Sequence, residues 1–248
     1  MRDIDGFPVR GLASTYRDRT RLDRHTHPWA QLVYAASGTM RVVTQAATWL
    51  VPPTRAIWVP GGVPHEIEMR GAVAMRTLYL APAEGEPRLA GCRAIEVAPL
   101  LRELILHIVK LGMLEAGDPA HARLEGLLVD LLAVGETAPL ELPLPADPRA
   151  RAFADRLLDE PGAEASLAEM ARGCGASLRT LQRLFLAQTG LSLEAWRGKA
   201  RMQHSLVSLS AGASVTAAAL DAGYQSPSAF IAAFRRAFGV TPARWRAS

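Results

Sequence analysis

The chain has 248 residues, 49 % of them hydrophobic, and a formal charge of +4. That apolar fraction supports a sizeable core and excludes wholesale disorder, and the length suits two ordinary domains. No apolar run is long enough for a membrane span, no apolar stretch follows the opening MRDIDGFPVR as in a signal peptide, and the two cysteines, Cys92 and Cys174, lie far apart, so no membrane partner and a cytoplasmic location are expected.

Residues 25–38 read HTHPWAQLVYAASG. On a single strand, His25, His27 and Gln31 would share one face, because strand side chains alternate. From 28 to 80, β-rich runs (QLVYAA, MRVVTQ, ATWLVP, AIWVP, AMRTLYL) are punctuated by Gly and Pro every ten residues or so. That spacing predicts an antiparallel barrel or sandwich. Trp29, Tyr34, Trp49 and Trp58 fall in this region and suit its core or its mouth.

The period then changes. Residues 97–114 place Leu100, Leu104, Ile108 and Leu111 on one helical stripe, with Leu101, Ile105 and Val109 beside it. Residues 120–134 repeat the pattern with Leu124, Leu127, Leu128, Leu131 and Leu132. Such a helical pair (97–135) can cover the edge of the sheet domain or pack on a second copy. The segment 136–148, ETAPLELPLPADP, is proline-rich and without period, which predicts a linker over 136–146. Asp147 and Pro148 then read as N-cap and N1 of a helix to about Leu158.

The rest is helical and basic. From Arg172 to Ser248 there are ten Lys and Arg against two acidic residues, while residues 1–171 carry 18 basic and 22 acidic residues. This is the charge layout of a nucleic-acid-binding module joined to something else. The segment 166–190, SLAEMARGCGASLRTLQRLFLAQTG, matches 214–239, SVTAAALDAGYQSPSAFIAAFRRAFG. Ala171 matches Ala219, Gly175 matches Gly223 and, after one inserted residue, Ser177 matches Ser226 and Phe185 matches Phe234. Each copy has helix-turn-helix logic: a small residue at the crossing, glycine at the turn, serine capping the second helix.

With Leu181, Leu184 and Phe185 inward, the first reading helix presents Arg179, Thr180, Gln182, Arg183 and Ala187 to double-stranded DNA. Arg pairs bidentately with guanine and Gln with adenine. With Phe230, Ala233 and Phe234 inward, the second presents Ser228, Ala229, Ile231 and Ala232, which suit thymine methyls but not purine acceptors. Gln225, Ser226, Arg235 and Arg236 would position it on the backbone. Residues 192–210 read as one connecting helix about 28 Å long. That is shorter than the ~34 Å between successive major-groove faces, so bent DNA or unequal engagement of the two units is expected. Arg197, Lys199 and Arg201 on it are candidate phosphate contacts.

Residues from about 148 to 246 resemble the DNA-binding domain of AraC/XylS-type transcriptional regulators. The resemblance is carried by the two repeat segments and by Gly223-Tyr224, Ser226, Phe230, Phe234, Gly239 and Thr241-Pro242. It implies a bacterial regulator with a double helix-turn-helix domain over 147–248, contact with RNA polymerase and a homodimer formed through the first domain. It also implies a cupin-like sensor barrel over 1–96, hence an α+β chain with an all-α second half. HTHPWAQLVYAASG follows the cupin spacing His-x-His-x3-Glu-x6-Gly with Gln31 in the glutamate place and Gly38 at its end, and PGGVPH (60–65) follows Pro-x-Gly-x2-His. The implied ligand set is His25, His27, Gln31 and His65.

Three imidazoles and a carboxamide oxygen suit a divalent transition metal such as Zn, Ni, Fe or Mn. Gln in place of Glu removes a negative charge and should weaken binding and speed exchange. A metal-free pocket for a small-molecule effector and a relic site stay open. His107, His121 and His204 read as surface or packing residues. The expected function is a sequence-specific DNA-binding regulator, not an enzyme, whose first domain senses a small effector or a metal ion. The alternative is a cupin-type metalloenzyme, a dioxygenase or isomerase, with a DNA-binding tail. Against the alternative, no acid/base pair stands near the motif and Gly-rich phosphate loops are absent.

Overall fold

The computed structural model describes residues 6–82, 89, 91–135, 140–159 and 166–247. Its first half is sheet-rich: β1 (Val9–Tyr16), β2 (Arg21–His25), β3 (Ala30–Thr44), β4 (Ala47–Val51), β5 (Arg55–Val59), β6 (His65–Leu80) and β7 (Arg93–Glu96). The helices α1 (Pro99–Leu111) and α2 (Pro119–Val134) flank the short β8 (Met113–Leu114), and β9 (Glu141–Pro143) follows. The sheet runs β7-β5-β3-β6-β1-β8, with β2 on β6 and β4 on β3.

The long antiparallel pair β3–β6 is its spine, with register shifts between Ala35 and Thr39. Gly38 sits in that irregular stretch with φ +76, and a Cβ there would lie 2.2 Å from the Ala72 carbonyl oxygen. Only glycine satisfies both conditions.

Register decides which residues meet. Gln31 and Val33 of β3 lie opposite Tyr79 and Thr77 of β6 and Val59 and Ile57 of β5, on one face. Leu32, Tyr34, Ala56, Trp58, Leu78 and Leu80 lie on the other and form one apolar cluster with Leu101, Leu104, Ile105 and Ile108 of α1 and Leu128 and Leu132 of α2. Each such leucine contributes about 1.5–3 kcal/mol on burial. The approach of α1 to β1 needs Gly11, whose N–H donates to the Gly112 carbonyl at 2.7 Å and where a Cβ would meet the Val109 Cα at 2.7 Å.

Four expectations change. His25, His27 and Gln31 do not share a strand: His25 ends β2, His27 lies in the connection and Gln31 is in β3. The buried stripe of α1 is Leu101, Leu104, Ile105 and Ile108, while Leu100 and Leu111 are exposed. The helix also stops at Leu111, because Gly112 adopts φ 84 and β8 follows. The linker begins with residues 136–139, outside the described residues, but from Leu140 onward it is ordered and Leu140, Leu142 and Leu144 are buried. Tyr34, Trp49 and Trp58 are core residues, and Trp29 is half-buried beneath the Arg10 guanidinium, 4.8 Å from its ring.

The second half comprises α3 (Pro148–Asp159), α4 (Leu167–Gly173), α5 (Leu178–Thr189), α6 (Leu193–Ser210), α7 (Val215–Asp221), α8 (Pro227–Phe238) and α9 (Pro242–Ala247). Asp147 caps α3, accepting from the backbone N–H of Arg149 and Ala150. Two short helical pairs, α4–α5 and α7–α8, are joined by α6.

The chain forms two compact units that do not follow chain order: residues 1–44 with 49–141, and residues 45–48 with 142–248. In the second unit, Leu144 N–H donates to the Ala46 carbonyl at 2.8 Å and Arg151 Nη1 to the Gln45 carbonyl at 3.3 Å.

Candidate functional site

The structure brings His25, His27, Gln31 and His65 together from four places. His25 ends β2, opposite His65, the first residue of β6. His27 is held by the loop after it and by the turn before β6: Gly62 N–H donates to its carbonyl at 2.8 Å. A Cβ at Gly61 would lie 2.2 Å from the Pro28 carbonyl oxygen, so the glycines of PGGVPH allow the two loops to close. The ligand nitrogens of His25, His27 and His65 lie within 4.8 Å of one another. His65 is fully buried and Gln31 nearly so, while His25 and His27 are half-buried.

Each ring is held in one tautomer. Nδ1 of His25 lies 2.7 Å from the Asp23 carbonyl oxygen, Nδ1 of His27 lies 2.6 Å from that of Trp29, and Nδ1 of His65 lies 2.9 Å from that of Val63. A carbonyl only accepts, so all three Nδ1 atoms carry the proton and each neutral ring keeps its lone pair on Nε2. Burial, followed by its imidazole neighbours, lowers the His65 pKa below the usual histidine value and favours its neutral form.

The carboxamide of Gln31 is oriented too. The Thr77 hydroxyl donates its single proton to the Leu32 carbonyl at 3.0 Å. Its oxygen therefore accepts from Gln31 Nε2, also at 3.0 Å, and Tyr79 Oη accepts from the same nitrogen at 3.2 Å. Gln31 Oε1 is left facing Nε2 of His27 at 3.1 Å and of His65 at 3.0 Å. With neutral rings, the oxygen and the imidazole nitrogens all present lone pairs to one point. Such a contact is repulsive until a cation or a hydrogen-bond donor enters it. The 3.0 and 3.1 Å separations of Gln31 Oε1 from the two imidazole nitrogens are close to those of ligand atoms about 2.1 Å from a shared ion and at right angles, an octahedral rather than a tetrahedral arrangement. Thr77 and Tyr79 were invisible to spacing arguments, because they lie 46 and 48 residues beyond Gln31 and meet it only through the β3–β6 register.

The second candidate surface is on the helical pairs. Ser177 and Ser226 cap α5 and α8, accepting from the N–H of Thr180 and Ala229. Gly175 and Gly223 both have φ +74, as the turn requires. Leu181, Phe185, Phe230 and Phe234 are fully buried. Arg179, Gln182, Arg183 and Ala187 on α5 are exposed, and Thr180 is half-buried with its hydroxyl on Ser177. Around α8, Gln225, Ser228, Ala229, Ile231, Ala232, Arg235 and Arg236 are exposed and Ser226 is half-buried. Ser228, Ile231, Ala232, Arg235, Arg236 and Thr241 line a shallow surface depression.

One candidate phosphate contact is engaged elsewhere. Arg201 Nη2 donates to the Gly223 carbonyl at 2.9 Å, and its guanidinium lies 5.9 Å from the Tyr224 ring, so it braces the turn before α8. His204 lies 2.8 Å from Asp221, which also accepts from Ser208.

The profile of the AraC-like ligand binding domain matches residues 6–132, and that of a helix-turn-helix domain matches residues 170–248. The chain belongs to the AraC family. Among curated AraC-family proteins, it is 31 % identical to the HTH-type transcriptional regulator NimR of Escherichia coli, over 89 % of this chain and 81 % of that one. It is 41 % identical to the HTH-type transcriptional regulator RipA of Corynebacterium glutamicum, over 40 % of this chain and 30 % of that one. Fatty-acid-bound ToxT of Vibrio cholerae aligns over 96 % of this chain and 94 % of that one, at 9 % identity and a TM-score of 0.39. This AraC-family chain therefore has a sheet-rich, cupin-like ligand-binding domain followed by a helical helix-turn-helix domain. Among the described residues, no helix is long and apolar enough to cross a membrane.

Proposed function

We propose that this AraC-family regulator binds double-stranded DNA through both helical pairs and holds a divalent transition metal at His25, His27, Gln31 and His65, whose occupancy changes DNA binding. One observation carries the sensor half of this reading. Three imidazoles locked with Nε2 as the free base and a carboxamide locked with its oxygen inward form a cluster of electron-pair donors with the ligand types of a metal site. Protonation of the fully buried His65 is disfavoured, because burial lowers its pKa. Imidazole-rich sets suit Zn, Ni or Fe, and the neutral Gln31 suits exchange.

A sensor fits better than a catalyst. The inward residues Val33, Met40, Val42, Ile57, Val59, Ile67 and Met69 are at most 1 % exposed, so side chains fill the interior next to the site. The effector is then the metal itself or a small molecule bound over it at the half-buried His25 and His27. On the DNA side, α5 supplies direct readout through Arg179, Gln182 and Arg183, and α8 supplies mainly positioning. A homodimer through α1 and α2 belongs to the same reading, supported by the exposed Leu100, Leu127 and Val134. Contact with RNA polymerase and action in the cytoplasm rest on the family alone.

Elemental analysis of the purified chain, followed by a gel shift on its own upstream region with and without chelator, tests the reading. About one bound metal per chain and a chelator-dependent change in DNA affinity are expected. His25→Ala should lower the metal content, and a variant that keeps the wild-type content would move the site elsewhere. Arg183→Ala should cost about 1–3 kcal/mol of DNA binding and relax specificity at one base pair. Unchanged affinity and specificity would remove α5 from the readout.

A further inference from the structure

The donor set at the histidines depends on a residue outside the implied ligand set. Thr77 is fully buried on β6, Gln31 is 1 % exposed on β3, and the hydrogen bond between them is 3.0 Å. Thr77 has one proton, and the Leu32 carbonyl takes it. Toward Gln31 it is therefore an acceptor only, and it selects the NH2 end of the carboxamide. Tyr79 makes no such selection, because a phenol both donates and accepts. Without Thr77 the amide could rotate by 180°, satisfy the imidazole lone pairs with its own N–H groups and close the site to a cation.

The same polarity distinguishes an amide from an acid. A carboxylate at position 31 would set one oxygen against the Thr77 oxygen at the 3.0 Å where Nε2 now sits, two acceptors with no proton between them. A carboxylate also has no wrong end and needs no orienting partner.

We propose that Thr77 is a positioning residue that commits Gln31 to act as an oxygen ligand, and that this pair makes the site one built for a neutral fourth donor. The inference rests on the metal-binding reading above. It implies a device for reversible occupancy: the ligand is weak because it is uncharged, and dependable because it cannot turn.

The test is Zn2+ titration of the full chain against a chromophoric chelator, for wild type, Thr77→Val, Thr77→Ser, Gln31→Glu and the double variant that combines Gln31→Glu with Thr77→Val. Thr77→Val, nearly isosteric, should weaken Zn2+ binding by about tenfold, the usual range for losing an outer-sphere partner of a metal ligand. Thr77→Ser, which keeps the hydroxyl, should restore it. Gln31→Glu should bind more tightly because of its charge, and adding Thr77→Val to it should cause no loss. The Co2+ absorption spectrum should change in Thr77→Val and return in Thr77→Ser. The inference is overturned if Thr77→Val binds Zn2+ as wild type does, or if it weakens binding equally with and without the Gln31→Glu substitution, which would mark a packing role. If wild type binds no Zn2+ at micromolar concentrations, the metal-binding reading falls and this inference with it. If wild type binds and Thr77→Val binds equally, only the inference falls.

Discussion

At Gly61 and Gly62, adjacent glycines are required for different reasons. Gly62 has φ +81 with open space around its Cα, so its constraint is conformational. Gly61 has no positive φ, and its constraint is the Pro28 carbonyl oxygen, 2.2 Å from where a Cβ would be. Gly62→Asn should therefore be nearly neutral, since asparagine tolerates the left-handed region. Gly61→Ala should destabilise the sheet domain by about 1–3 kcal/mol, because the obstructing atom is backbone and the loop carrying His27 must move. Urea unfolding of the two variants separates these outcomes, and equal losses would refute the distinction. Both glycines belong to the PGGVPH pattern and were legible as a motif. Thr77 was not: nothing about a threonine in MRTLYL says that it meets a glutamine 46 residues earlier. Residue identity along one strand is visible in sequence, whereas residues opposed across two long strands depend on register, which bulges such as that near Gly38 reset.

Among the elements, the helical half was the more legible, because its determinants are local. Ser166, Ser177, Ser192, Ser214 and Ser226 each accept from a backbone N–H at the start of the helix they precede, and Ser166 closes a full capping box with Glu169. A cap, a turn glycine and an apolar period can all be read within about twenty residues. Ser226→Ala should cost about 1 kcal/mol and be felt first in α8, since a helix of about three turns is marginal alone. Faster amide exchange confined to the first turn of α8, with the first turn of α5 unchanged, is the expected signature. Uniform acceleration in both helices would contradict it. The phase of α1 was harder to read. Its apolar side chains make a stripe wider than the buried face, and sequence alone does not say which edge is covered. The sheet chose the edge centred on Leu101, Leu104, Ile105 and Ile108, leaving Leu100 57 % exposed.

For the whole molecule, charge is the property that survives from composition to function. Ten Lys and Arg against two acidic residues from Arg172 onward predict DNA binding dominated by counterion release. Contacts to about six phosphates would give a slope of roughly −5 for the logarithm of affinity against that of salt concentration. A slope near zero would leave the basic half without an electrostatic role. On the proposed metal reading, occupancy should shift the intercept of that line rather than its slope, since the histidines are not among the candidate phosphate contacts. The two compact units carry a different consequence. Because residues 45–48 group with 142–248, the chain passes from one unit to the other after Thr44, after Thr48 and after Glu141. The regulator is therefore not a pair of interchangeable modules. Grafting 142–248 onto a foreign sensor would leave behind the carbonyls of Gln45 and Ala46 that accept from Arg151 and Leu144. Recombination between relatives should be tolerated only where the hairpin around Gln45 travels with the DNA-binding half.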